Sequence, residues 1–169
     1  MSNYFQGTSN KPFHLSVGAV LFNDKGEIAC HHFINHPRLD SEAYILMRET
    51  IEEGESIEQA LNRGLMEEFG ATGEIITYVG SLVKPYKIND ITIQKTTIYF
   101  AIRLIDIDSE KRLKDDPEAG SNIEWLDPKD LARKMKKSAK KLKLTDMDES
   151  EVIERITTLD IINTPRFYN

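Results

Sequence analysis

The apolar positions of the chain first alternate and later recur at helical spacing. Residues 14–22 are rich in β-formers and predict a strand. Residues 27–33 predict its hairpin partner across Asn23-Asp24-Lys25-Gly26, where Gly26 suits a positive φ. After a loop through His36-Pro37, residues 43–47 predict a short apolar strand. The clearest helix is expected from Ser56 to Phe69. Ser56 and Gln59 have the spacing of a capping box, Leu61, Leu65 and Phe69 form an apolar stripe, and Gly70 supplies the stop. Arg63, Glu67 and Glu68 are expected on a separate, polar face of that helix.

Two longer β segments are predicted at 75–83 and 92–105. The charged, breaker-rich stretch 106–120 reads as a loop and 123–126 as a short strand. Asp127-Pro128 is a good helix start, with Asp as N-cap and Pro in the first turn. A lysine-rich helix follows, then a last helix at about 150–159. There is no internal repeat. Strands interrupted by helices predict an α/β fold with a mixed sheet covered by helices.

Composition narrows this reading. A chain of 169 residues with 40% hydrophobic and 30% charged residues has the size and balance of one globular domain with a real core. No apolar run approaches the ~20 residues of a membrane helix, so no membrane partner is expected. No secretory signal is read at the N-terminus, and the single Cys30 has no internal disulfide partner. The default expectation is a cytoplasmic protein. A net charge of -6 argues against general nucleic-acid affinity but leaves room for a local basic patch. Asn3-Tyr4-Phe5-Gln6-Gly7 resembles the end of a viral-protease cleavage site, either a tag remnant or native sequence. Residues 1–12 are therefore set aside as an N-terminal tail, and 13–169 is expected to be a single domain with a C-terminal helical extension.

The candidate chemistry sits at positions 49–71. Gly54-Glu55-Ser56 followed by Arg63-Gly64-Leu65-Met66-Glu67-Glu68-Phe69-Gly70 resembles the Nudix box, G-x5-E-x7-R-E-U-x-E-E-x-G-U with U aliphatic. Glu55, Arg63, Leu65, Glu67, Glu68 and Gly70 match in type and spacing, and Ala71 is a weak match for the last apolar position. Two positions depart. Glu49 stands where the first glycine belongs, and Gly64 stands where the glutamate after arginine belongs. The order of elements from about Phe13 to Lys136, including the strand with Trp125, also resembles a Nudix domain. That resemblance implies an α/β/α sandwich around a central mixed sheet.

Hydrolysing a phosphoanhydride requires shielding of negative charge and activation of water. Hard divalent cations do both and prefer oxygen ligands. Side chains at 64, 67 and 68 converge at i+3 and i+4 helical spacing. The resemblance implies metal ligation by Glu67 and Glu68, Mg²⁺ or Mn²⁺ as cofactor, and Arg63 as the group that orients the carboxylates. Glu118, in the charged loop, is a candidate for assistance as ligand or base. Glu55 is ranked as structural. Glu49 is weighed two ways: it reaches into the space vacated at Gly64, or it points to solvent. Glycine costs a helix interior about 1 kcal/mol relative to alanine, so Gly64 reads as a place of close approach rather than of stabilisation.

The bland readings stand beside these. Adjacent glutamates are usually a solvated face. Cys30, His31, His32 and His36 invite a zinc site, but alternation on a strand puts His31 and His32 on opposite faces, so the strand reading is preferred. Lys129 to Lys143 contains eight basic residues and one acid, Asp130. No aromatic residue interleaves it, so a solvated helix is favoured over an RNA-binding surface. Lys84, Tyr86 and Lys87 are placed near a substrate mouth. The resemblance implies hydrolysis of nucleoside diphosphate derivatives, either impaired by the missing glutamate or with another carboxylate in its role. The competing expectation is a non-catalytic domain that binds a nucleotide, RNA or protein.

Overall fold

The computed structural model describes residues 3–35, 41–142 and 148–163; His36 and Lys143 lie outside them. Among the described residues, seven strands form one mixed sheet: β1 (Phe13–Phe22), β2 (Ile28–Phe33), β3 (Ala43–Ile45), β4 (Met47–Thr50), β5 (Ala71–Ile88), β6 (Ile91–Ile107) and β7 (Asn122–Leu126). The main path is β3-β2-β1-β6-β5, with β4 added to β1 and β7 to β2. β1 and β6 run parallel, while the other pairs are antiparallel.

Helices cover both faces. α1 (Ile57–Gly64) continues directly into a π-helical turn, Leu65–Phe69. Leu61, Leu65 and Phe69 are fully buried and pack with Val17, Ala19, Leu21, Ala29, Met47 and Ile102. α2 (Pro128–Leu142) and α3 (Ser150–Thr158) cover the opposite face. There Leu131, Met135, Val152 and Ile156 pack with Val20, Phe22, Cys30 and Tyr99. The result is the expected α/β/α sandwich. Alternation along β1 supplies both cores, since successive residues point to opposite faces.

The start of α1 follows its sequence. Ser56 Oγ accepts from Gln59 N at 3.1 Å, and Gln59 Oε1 accepts from Ser56 N at 2.8 Å, which completes the capping box. The end differs from a single helix over 56–69. The Gly70 N–H reaches back to Leu65 O as well as Met66 O, so the last turn is wider than an α-turn. Gly70 then ends it in the left-handed conformation at φ 65°.

The β segments also outrun their sequence limits. β5 does not end at Val83 but continues to Ile88, meeting β6 across Asn89-Asp90. Both turn residues have positive φ, 45° and 66°, the requirement of a tight hairpin in register with strand twist. Pro85 is tolerated because β5 is an edge strand. The single strand expected at 43–47 is two, broken at Leu46, whose N–H donates to the buried Glu149 carboxylate at 2.8 Å. Upstream of β1, Leu15 N donates to Phe5 O at 2.9 Å and Asn3 Nδ2 to Ile51 O at 2.9 Å.

Candidate active site

Arg63, on the last turn of α1, is the hub of one half of the site. Its Nε lies 2.9 Å from Glu55 Oε1 and its Nη1 lies 3.0 Å from Glu49 and 3.3 Å from Glu67. Its Nη2 donates to Glu55 Oε2 and to Thr50 O, each at 2.9 Å. A planar guanidinium suits this, because its donors fan out in one plane to several oxygens. Its pKa is raised, first by the hydrogen bonds to Glu55. Arg63 therefore ties the strand residue Glu49, the helix-entry residue Glu55 and the helix residue Glu67 into one unit.

Glu49 does not face open water. Its Oε1 also accepts from Thr50 N at 2.7 Å, and burial raises its pKa against the pull of Arg63. The reason for its inward course is at Gly64. A Cβ at Gly64 would sit 2.8 Å from Glu49 Cβ and 2.8 Å from Met47 Sδ. The helix approaches β4 so closely that only glycine fits opposite Glu49.

Glu68 departs from the sequence expectation. It is not on the polar face with Glu67; it is 2% exposed and turned toward β2. The expectation assumed α-helical angles, whereas the wide π-turn rotates successive side chains differently. Glu68 Oε2 lies 2.7 Å from His31 Nε2, and His31 Nδ1 lies 2.7 Å from Ser121 Oγ. Ser121 Oγ donates to Glu118 O at 2.7 Å and receives a bond from Arg112 Nη2 at 3.2 Å. The serine proton being used there, the network assigns the His31 proton to Nδ1 and leaves Nε2 as acceptor. Burial lowers the His31 pKa to about 3 and, before other causes, raises that of Glu68 well above the carboxylate range. Both shifts disfavour the charged forms, and the 2.7 Å contact is a hydrogen bond between the two side chains.

The second half of the site comes from the loop before β7. Leu113 N donates to Glu67 O at 2.8 Å, and Arg112 donates to Ser121 O and Glu118 O at 3.1 and 3.0 Å. These bonds fold the loop back on the box turn. Glu118 is half-buried and held up at about 7, first by burial and then by its hydrogen bond with Asp116. After burial, the charges that raise Glu68 are those of Glu118, Asp116 and Glu49. Carboxyls from two other segments thus act on the charge of Glu68.

These groups suit a hard divalent cation in kind, being oxygen donors whose mutual repulsion a cation would relieve. Among the described residues, however, no three acidic, histidine or cysteine side chains converge into a ready metal cage. Glu67 and Glu49 are engaged by Arg63, and Glu68 by His31. His32 lies on the other face, bonded to Glu124 at 2.6 Å and stacked on Tyr44. Cys30 is buried in the α2–α3 core.

Sequence reasoning weighed His31 only for a zinc site and passed over Arg48, Lys95 and Glu149. Their signal was alternation: in β2, His31 shares a face with Ala29 and Phe33, toward the box helix. Tyr86, placed only loosely at a substrate mouth, receives a defined position; its hydroxyl is 2.9 Å from His14 Nδ1, and His14 Nε2 is 3.0 Å from Thr50 Oγ1. Lys87 is exposed, one residue out of phase with Lys84 and Tyr86. A separate concavity of about 670 Å³ between α2 and α3, lined by Ala132, Lys136 and Ile153, gathers none of the box residues.

A family profile described as NUDIX domain matches residues 12–146. No curated protein matches the chain by sequence. Among solved structures, a NUDIX hydrolase from Nitrosomonas europaea is similar at TM-score 0.63 and 19% identity, covering 91% of this chain and 96% of that one. The E. coli ORF135 protein is similar at TM-score 0.57 and 18% identity, over 88% and 91%. A MutT protein from Methanosarcina mazei Go1 is similar at TM-score 0.53 and 17% identity, over 88% and 96%. At these identities the likeness is one of fold.

Proposed function

The chain belongs to the NUDIX family, and on that premise we propose that it hydrolyses the phosphoanhydride of nucleoside diphosphate derivatives with Mg²⁺ or Mn²⁺. The observation that carries this reading is the buried Glu68 carboxyl, whose proton affinity is raised by burial and then by Glu118, Asp116 and Glu49. Carboxyls gathered at such electrostatic cost favour a function for the charge.

A divalent cation held by Glu67 and Glu68, with Glu118 assisting, would neutralise phosphate charge and activate water. Glu49 takes the role that the box assigns to position 64, with Arg63 holding Glu49 and Glu67 in fixed relation. His31 holds the Glu68 carboxyl, and through Ser121 it links Glu68 to the backbone of Glu118. Such supporting bonds keep reacting groups in position.

The test is release of phosphate or nucleotide across a panel of nucleoside diphosphate derivatives with each metal. Turnover that falls at least a hundredfold in Glu68→Gln is the expected result. A second reading, a non-catalytic module that binds a nucleotide, RNA or protein, draws support from the engagement of Glu49 and Glu67 by Arg63. Metal-independent ligand binding with no turnover on any substrate would establish it instead.

A further inference from the structure

The face of the sheet turned away from α1 carries a second set of polar groups. Strand partners share a face, so the register fixes its members. On β1 these are His14, Ser16 and Gly18. Arg48 lies opposite Gly18 and Thr50 opposite Ser16 on β4. On β6, Lys95 lies beside His14, Thr97 beside Ser16 and Tyr99 beside Gly18. Lys84 of β5 is opposite Lys95. The side chains agree with the register: Ser16 Oγ is 2.8 Å from Thr97 Oγ1, and a Cβ at Gly18 would sit 2.5 Å from the Tyr99 ring.

Arg48 has a carboxylate partner on this face. Arg48 Nε is 3.5 Å from Glu149, a carboxylate 1% exposed that also accepts from Tyr99 Oη and Leu46 N. Glu149 comes from the entry to α3, beyond the residues matched by the NUDIX profile. It anchors Arg48 without neutralising the rest of the face. The Lys95 side chain is half-buried and has no hydrogen bond or ion pair among the described residues. Its pKa is lowered to about 8 by burial and then by Arg48. Like charges at directly opposed strand positions, as at Lys84 and Lys95, are destabilising. Glu118 and Glu68 are among the charges that act on both Arg48 and Lys95, so these cations lie within electrostatic reach of the acidic half of the site.

We propose that Arg48 and Lys95 form an anion subsite that takes the phosphate chain of the substrate, with Lys84 at its rim and Glu149 as the positioning residue of Arg48. The inference rests on the hydrolase reading above. A chain of phosphates has the multiple charges that an acidic half carrying metal and a basic half would share. Arg48 supplies a fork for two phosphate oxygens and Lys95 a point charge. The hydroxyl of Thr50 lies on the same face.

The experiment is calorimetric titration of inorganic pyrophosphate into the full chain in the presence of a chelator. Wild type is expected to bind, and Lys95→Met to bind at least tenfold more weakly with a shallower salt dependence. Lys95→Arg should retain binding, and Lys87→Met, off this face, should match wild type. Because Lys95→Met removes a half-buried cation whose charge burial and Arg48 disfavour, its anion-free melting temperature should rise. Equal affinity in wild type and a folded Lys95→Met, or no binding by wild type, overturns the subsite. Turnover on the substrate panel separates the two claims. Lys95-dependent pyrophosphate binding without turnover sustains the subsite and removes the hydrolase. Turnover with KM and pyrophosphate affinity unchanged in Lys95→Met does the reverse.

Discussion

Glu49 and Gly64 are fitted to each other: a Cβ added at Gly64 would approach Glu49 Cβ to 2.8 Å. The two departures from the box pattern are therefore one structural unit. The carboxylate is carried by β4, and the helix gives up its side chain to let β4 approach.

This relationship predicts coupling. Gly64→Ala gains about 1 kcal/mol of helix propensity but overpacks against Glu49 and Met47, which costs roughly 1–3 kcal/mol. Net destabilisation is expected in urea unfolding. In a Glu49→Gly background the same change should cost less, with a coupling of about 0.5 kcal/mol or more. Strict additivity would show that the pair is not fitted. In turnover assays Glu49→Gly should remove activity, and Glu49→Gly with Gly64→Glu should restore it. If Gly64→Glu alone raises activity and Glu49→Gly is silent, Glu49 is a bystander.

Most of the fold was legible because it rests on local signals. The capping box at Ser56, the Leu61-Leu65-Phe69 stripe and the turn at Gly26 each depend on residues close in sequence. What was not legible depends on a change of backbone period or on long-range register. The π-turn at 65–69 turns Glu68 inward, and no residue type there announces it. The Asn89-Asp90 hairpin was missed because its turn lacks glycine, though Asn and Asp tolerate positive φ. In the site, Arg63 and its carboxylates were readable from a motif. His31, Arg48 and Lys95 are positioned only through pairing of strands distant in sequence, and Glu149 through its side-chain bond with Leu46 N.

A second prediction concerns pH. His14 is 7% exposed, bonded to Tyr86 and Thr50, and faced by Lys95 on β6 and Arg48 on β4. Burial, then those two cations, lower its pKa from 6.5 to about 4. Above 6.5 both folded and unfolded His14 are neutral and the group does not affect stability. As pH falls toward 4 the unfolded chain binds a proton that the folded chain refuses, so stability drops. Between pH 7 and pH 5 this loss is about 2 kcal/mol at 1.36 kcal/mol per pKa unit. His14→Gln keeps a hydrogen-bonding side chain and should lose correspondingly less over that interval in urea unfolding. Parallel curves for wild type and variant would mean that His14 is not held neutral by its surroundings.

The last prediction separates the basic helix from the site. In α2 the buried positions are Leu131, Ala132, Met135 and Ala139, which pack toward the sheet. Lys129, Lys137, Lys140 and Lys141 are exposed. Lys134 is different, since its Nζ donates to Tyr44 Oη at 2.8 Å, and it is left in place. Glutamine at the four exposed positions removes only solvated charge, each substitution being worth within about 0.5 kcal/mol of stability. Turnover on small nucleotides, where it occurs, should stay within about twofold of wild type. The helix has no aromatic side chain on which a base could stack, so single-stranded RNA is expected to bind weakly and equally to both proteins. Tight RNA binding by wild type that weakens steeply with salt, and that the fourfold variant loses, would make this face a nucleic-acid surface. The phosphate-binding role would then be divided between α2 and the sheet, and the acidic overall charge would have misdirected the reading of Lys129 to Lys143.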